Sequence, residues 1–196
     1  MKYKITFCLL FAFIFFSTTA CGETFRGKVI DADTKEPIEG AVVVASWLEE
    51  RATPAGPTSR LKDVKETLTD KNGEWVIKGP KGRDGGNITA IFTFLTGTYY
   101  TLPPEFIVFK PGYCSYPAGF GIETCKEKMK TYNFTKSENI GEIVELRKLT
   151  IREDRLKVLP SPVAGENSLK KQGQFIRLIN EESKHLGIPK AYYEGD

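Results

Sequence analysis

Residues 27–47 read GKVIDADTKEPIEGAVVVASW, and two different rhythms meet in them. Just upstream and into this stretch, TFRGKVID places Phe25, Gly27 and Val29 between polar neighbours, the alternation of a half-buried strand. DADTKEPIEG then gathers Asp, Pro and Gly into a turn. AVVVASWL follows as an unbroken, β-branched run, which suits a more buried strand. Two strands of unequal burial joined by a tight turn set the theme for what lies on either side.

Moving outward, residues 49–65 carry Pro54, Gly56 and Pro57 and no period, which reads as an exposed excursion off one end of the sheet. Asp70–Gly73, DKNG, lies between two alternating runs and reads as a hairpin turn, with Gly73 supplying positive φ. NITAIFTFL (87–95) and FIVFKPGY (106–113) are further strands, the second ending in a Pro111–Gly112 turn. KTYNFT (130–135) and GEIVELRKL (141–149) are candidate edge or closing strands. Short strands at regular spacing indicate an all-β sandwich.

Helical character begins near residue 150. TIREDRLKVL has the form of a capping box, with Thr150 as cap and Glu153 reaching back, and Pro160 and Pro162 beyond it. A second helix is expected from about Ser168 to His185. Leu169, Ile176, Ile179 and Leu186 form its stripe beside Phe175 and Leu178, and Gly187 and Pro189 stop it. Such a stripe must be buried, and packing back on the sandwich is the expectation. The organisation read from sequence is a signal segment at 1–20, a sandwich at 21–148 and a helical extension at 149–196.

The chain opens MKYKITFCLLFAFIFFSTTAC, the signal segment 1–20 followed by Cys21. Lys2 and Lys4 precede an apolar run from Ile5 to Phe16, too short for a comfortable membrane span, and small residues lead to Cys21. Ordinary signal peptidase would accept Thr18 and Ala20. TTAC also resembles a bacterial lipobox with Thr18 in place of the usual leucine, which would make Cys21 an acylated first residue. Acyl chains contribute about 0.8 kcal/mol per buried CH₂, so two or three would hold the protein stably. Gly22 lacks the aspartate of an inner-membrane retention signal. An outer-membrane lipoprotein facing the periplasm is therefore expected, the alternative being a soluble periplasmic or secreted protein.

The chain carries 28 basic and 25 acidic side chains, a net charge of +3, and loss of Lys2 and Lys4 brings these nearly into balance. Nothing in that balance recommends nucleic acid as a partner. Of four cysteines, Cys8 leaves with the signal and Cys21 is the lipid candidate. Cys114 and Cys125 remain as an even pair across a loop rich in Gly, Pro and Tyr, and in an oxidising compartment a disulfide is expected. A zinc pair is disfavoured because tetrahedral sites want four ligands and His185 is the only histidine.

Gly27–Asp31 (G-x-V-x-D), Pro37–Ala41 (P-I-x-G-A), Asp70–Gly73 (D-x-x-G) and Lys110–Tyr113 (K-P-G-Y) together resemble the carboxypeptidase regulatory-like domain, a transthyretin-like β-sandwich. The resemblance covers residues 25–113 and leaves out the helical tail. It implies a non-catalytic, adhesive or scaffolding unit and supplies no catalytic residue. The chain lacks the H-x-x-E of the zinc peptidase partner domain. Its single histidine also fails the paired His and Tyr iron ligands of the similar intradiol dioxygenase sandwiches.

Asp31 with Asp33, and Asp70 with Asn72, offer too few oxygens for calcium and read as turn formers. RDGG (83–86) has no helix after it to complete a phosphate cradle. Tyr99, Tyr100, Tyr113, Tyr116 and Phe120 fall in predicted loops, where aromatics can stack on sugars or grip a protein, or else cap the sandwich ends and pack under the disulfide loop. Trp47 and Trp75 fall in strands and read as core. The expected function is a non-enzymatic, envelope-anchored module that binds or scaffolds envelope components, without cofactor or metal. The alternative is an exported carbohydrate- or peptide-binding protein using the loop aromatics. The expected partners are a membrane surface through Cys21 and an unidentified envelope protein or glycan.

Overall fold

The computed structural model describes residues 22–81, 96–117, 125, 142–165, 167–189 and 192. Strand β2, Val42–Arg51, organises them. Val43, Ala45 and Trp47 point into one apolar cluster with Phe25, Val29, Trp75 and Phe106. Val42 and Val44 point the other way, into a second cluster with Val64, Phe109 and Phe175. Side chains alternate across a strand, so a run apolar at every position needs cover on both faces, and β2 has it.

Two sheets form the sandwich. In one, β1 (Thr24–Asp31) lies between β4 (Glu74–Lys78), antiparallel, and β7 (Glu142–Leu146), parallel. In the other, β3 (Thr58–Leu68) pairs with one side of β2, and β5 (Tyr100–Thr101) and β6 (Glu105–Phe109) share its other side, all antiparallel. The molecule is mainly β, with helices α1 (Arg152–Lys157) and α2 (Gly173–His185) at the C-terminal end. Both tryptophans are 3% exposed and sit in the layer between the sheets. Gly27 makes room there, because a Cβ on it would lie 2.6 Å from the Trp75 ring.

Helix α2 covers the outer face of β2 and β3 through Phe175, Leu178 and Ile179, so the tail packs on the sandwich. A 3₁₀ turn at Leu169–Lys171 precedes it. Its first free N–H groups are capped from a strand: Gln174 and Phe175 donate to the two Glu66 carboxylate oxygens at 2.8 and 2.9 Å. Its end is a Schellman motif. Gly187 has φ +71°, Ile188 N–H donates to Ser183 at 3.0 Å and Gly187 N–H to Lys184 at 3.2 Å.

Four expectations need correction. Residues 49–65 are largely strand, because β2 runs to Arg51 and β3 starts at Thr58. This ribbon end is polar on both faces and is held by cross-strand charge pairing, Arg60 to Glu49, so no alternation betrays it. The DKNG turn forms, with Gly73 at φ +74° and Asp70 Oδ1 accepting the N–H groups of Asn72 and Glu74. It does not close a hairpin within one sheet, however, since β3 and β4 belong to different sheets. Its tip is tied to β1, Val29 N–H donating to Gly73 at 2.8 Å, while Thr69 stays bonded to Ala41 at the foot of β2.

Helix α1 is not capped by Thr150: the cap position is Ile151, with no side-chain cap bond. Leu149 N–H is bound to Gly112 at 2.8 Å, which keeps the chain extended one residue further. The helix also ends at Lys157, before Pro160. Finally, Leu169 lies in the 3₁₀ turn at 39% exposure and is no part of the buried stripe. The segments 87–95 and 130–135, expected as strands, lie outside the described residues, as does 83–86.

Candidate functional site

The four short motifs meet at one end of the sandwich, at the foot of β2. Ile38 N–H donates to Val29 at 3.0 Å, joining the P-I-x-G-A turn to β1. Thr69 Oγ1 donates to Ile38 at 2.6 Å and accepts Ala41 N–H at 2.9 Å. Lys110 Nζ reaches the Glu39 carbonyl at 2.7 Å, tying K-P-G-Y to the same turn. Within K-P-G-Y, Tyr113 N–H donates to Lys110 and Gly112 has φ +81°, the pattern of a type II turn.

Asp31 is the buried acid of this region. Its Oδ1 accepts the N–H groups of Asp33 and Thr34 at 2.8 and 3.0 Å, an Asx turn, as the sequence suggested. Burial pushes its pKa up, yet bonds from those amides and from the Tyr113 hydroxyl outweigh burial and hold it below its ordinary 3.8. Tyr113 is raised in turn by burial first and then by the Asp31 charge. Asp33 reaches Arg147 at 3.5 Å. Asp31, Asp33 and Asp70 thus serve turns and pairs, and among the described residues no three His, Cys, Asp or Glu side chains gather as metal ligands would.

Cys114 and Cys125 are joined in a disulfide with Cα atoms 5.9 Å apart. They are buried with Leu149 and Val158, so the bridge itself packs against the start of the C-terminal extension. Ser115 Oγ donates to the Val158 carbonyl at 2.9 Å beside it.

The predicted aromatic set does not come together. Tyr116 pairs through its backbone with Val108 and packs half-buried against the inner core. Tyr99 and Tyr100 are at the far end of β2, where Tyr100 is level with Glu50. Val108 is level with Val43. Seven positions of strand separate the two places, about 23 Å. Cys21 and Phe120 lie outside the described residues.

Tyr99 sits in a charged rim that the sequence reading missed. The guanidinium carbons of Arg60 and Arg51 lie 4.1 and 5.2 Å from its ring centroid, within cation–π range. Arg60 donates twice to Glu49 Oε2, at 3.0 and 2.8 Å, and Lys62 Nζ donates to Thr101 Oγ1 at 2.6 Å. The Tyr100 hydroxyl donates to Glu50 Oε1 at 2.5 Å. That bond to Glu50, then partial burial, raises the Tyr100 pKa. The signal for this rim was the close succession of charges in EER (49–51) and SRLK (59–62), which reads as loop until the strands are seen to pair.

No family model and no curated protein matches this sequence. Among solved structures, a streptococcal ancillary pilin is similar at TM-score 0.30 and 12% identity, over 66% of this chain and 30% of the pilin. Two variants of the catechol 1,2-dioxygenase of Acinetobacter radioresistens are similar at TM-scores 0.32 and 0.31 and 20% identity, over 76% of this chain and 57% of theirs. The chain spans less than two thirds of the length of each structure it matches.

Proposed function

We propose that this protein is a non-enzymatic β-sandwich module of the carboxypeptidase regulatory-like type, anchored in the cell envelope through Cys21, that binds or scaffolds other envelope components. The observation that carries the reading is the use to which the motif residues are put. Gly27, Asp31, Gly73, Lys110 and Tyr113, with Thr69 next to the third motif, are all engaged in holding β1, β2 and the turns to each other. Residues fully committed to architecture suit a module whose surface, not a pocket, does the work. The single histidine, His185, stands exposed at the end of α2.

Intact mass spectrometry of the N-terminal peptide from the exported protein tests the anchor. The expected result is a diacylglyceryl or triacyl mass on Cys21, with unprocessed precursor accumulating under globomycin. An unmodified Cys21 would remove the anchor from this reading.

A second reading, binding of a carbohydrate or peptide through loop aromatics, is favoured only by the Tyr99 rim. Both arginines there contact the ring, and the Tyr100 hydroxyl is already bonded, so a peptide carboxylate suits the rim better than a sugar face. Retention of Tyr99→Ala protein on cell-wall material equal to wild type would defeat it.

A further inference from the structure

The two sheets differ in what covers them. Helix α2 covers the outer face of the β2 sheet, whereas the outer face of the β1 sheet is exposed from Lys28 towards its Lys78 end and buried at Ile30. Along β1 the outward residues are Thr24, Arg26 and Lys28, exposed or half-buried, and then Ile30, which is buried; along β4 they are Glu74, Val76 and Lys78; Ile143 is outward on β7. Val76 is 50% and Ile143 45% exposed, two of the four large apolar side chains exposed among the described residues.

The register brings these residues together. Arg26 is level with Val76, and Lys28 is level with both Glu74 and Ile143. Val76 and Ile143 therefore flank β1, about 12 Å apart across two strand spacings and a two-residue offset, with the stems of Arg26 and Lys28 between them. Arg26, Lys28 and Lys78 make no ion pair among the described residues. Glu74 is the carboxylate set among them. Glu145 also belongs to β7, but Lys35 binds it at 2.6 Å. The face is basic overall, with apolar side chains between its cations.

Its position relative to Gly22 is fixed. Gly79 N–H donates to the Glu23 carbonyl at 2.7 Å, and Thr24 is level with Lys78. Gly22 lies so close to Gly79 that a Cβ on it would be 2.3 Å from the Gly79 carbonyl oxygen. Cys21 is one peptide bond from Gly22, a Cα step of about 3.8 Å, so an acyl group on it would start at the Lys78 edge of this face.

We infer that the outer face of the β1 sheet, through Arg26, Lys28 and Lys78 with Val76 and Ile143, rests on an anionic lipid surface. The inference deepens the anchored reading and rests on it. An acyl anchor alone fixes distance and leaves orientation free; a basic, partly apolar face beside it lays the sandwich flat and turns the α2 side and the Tyr99 rim to other partners. A net excess of two positive charges favours an anionic surface by on the order of tenfold or more at low salt.

Lysine acylation footprinting of the exported full-length protein on vesicles tests this. Phosphatidylcholine vesicles containing phosphatidylglycerol are compared with phosphatidylcholine alone. The expected result is a several-fold fall in labelling of Lys28 and Lys78 on the anionic vesicles, reversed by high salt, with Lys170 and Lys184 on the helical side unchanged. Labelling equal on the two vesicle types would overturn the inference. Protection already complete on the neutral vesicles would assign the face to a second copy or another protein surface and overturn it equally. The mass of the N-terminal peptide reports acylation separately. A bare Cys21 with anionic-selective protection would sink the anchor and leave the face, and the reverse pattern would do the opposite.

Discussion

Asp31 and Tyr113 come from the first and last of the four motifs, and their contact is where the sequence motifs become a structure. The acid is 7% exposed, and the Asx turn and the phenol together keep it ionised. A carboxyl whose folded pKa is depressed adds stability above its unfolded pKa, and that stability is lost as pH falls through the folded value. Tyr113→Phe removes one donor to the carboxylate. We expect a loss of about 1–2 kcal/mol at pH 7 in urea unfolding, shrinking towards zero as the pH is lowered past the carboxylate range. A loss independent of pH would mean the ring's packing matters and the hydroxyl does not. At this scale the sequence was legible where the backbone makes the demand: Gly73 and Gly112 adopt the positive φ their turns require, and Gly187 ends α2. It was silent on Asp31–Tyr113, because nothing local says that a tyrosine 82 positions on will reach that acid.

Elements are set by partners that a local reading cannot see. The sequence offered Thr150 as a cap for α1, and the structure leaves that hydroxyl unused because Leu149 is bound to Gly112. For α2 no local cap was legible, and Glu66 supplies one from β3 across more than a hundred residues. The two helices are tied in the same way. Arg155 of α1 donates to both carboxylate oxygens of Glu182 of α2 at 2.7 Å, and the Glu182 side chain is only 3% exposed. That bond, set against partial burial, raises the Arg155 pKa above its ordinary value. Removing one partner leaves the other charge buried and unpaired. Arg155→Leu should therefore cost about 3–5 kcal/mol, while Arg155→Leu with Glu182→Met should recover most of it. Urea titration of the single and double variants checks this. Additive losses would show that Arg155 and Glu182 are not coupled and that each side chain is held by other contacts.

For the whole molecule, β2 decides how the parts communicate. Val43, Ala45 and Trp47 belong to the layer between the sheets, and Val42 and Val44 to the layer under α2, so a single strand is a wall of both cores. The sequence made the strand legible, since an unbroken apolar run needs two covers, and the apolar stripe of the tail pointed to the second. What it could not give was the pairing between them, because period and composition identify faces and not their partners. Two cores sharing a wall cannot lose one cover without exposing the strand that supports the other. Phe175 lies in the outer core, 0% exposed, with its ring 6.2 Å from that of Phe109. Phe175→Ala should cost about 3–5 kcal/mol. Both tryptophans lie in the inner core, so their fluorescence reports a layer that Phe175 does not touch. If the walls are shared in energy as they are in space, the substitution moves the tryptophan transition and the helical circular-dichroism transition by the same amount, and the two stay superimposed. A tryptophan transition left in place while the helical signal melts early would make the tail a separable cover, and the sandwich would then be a unit stable without it.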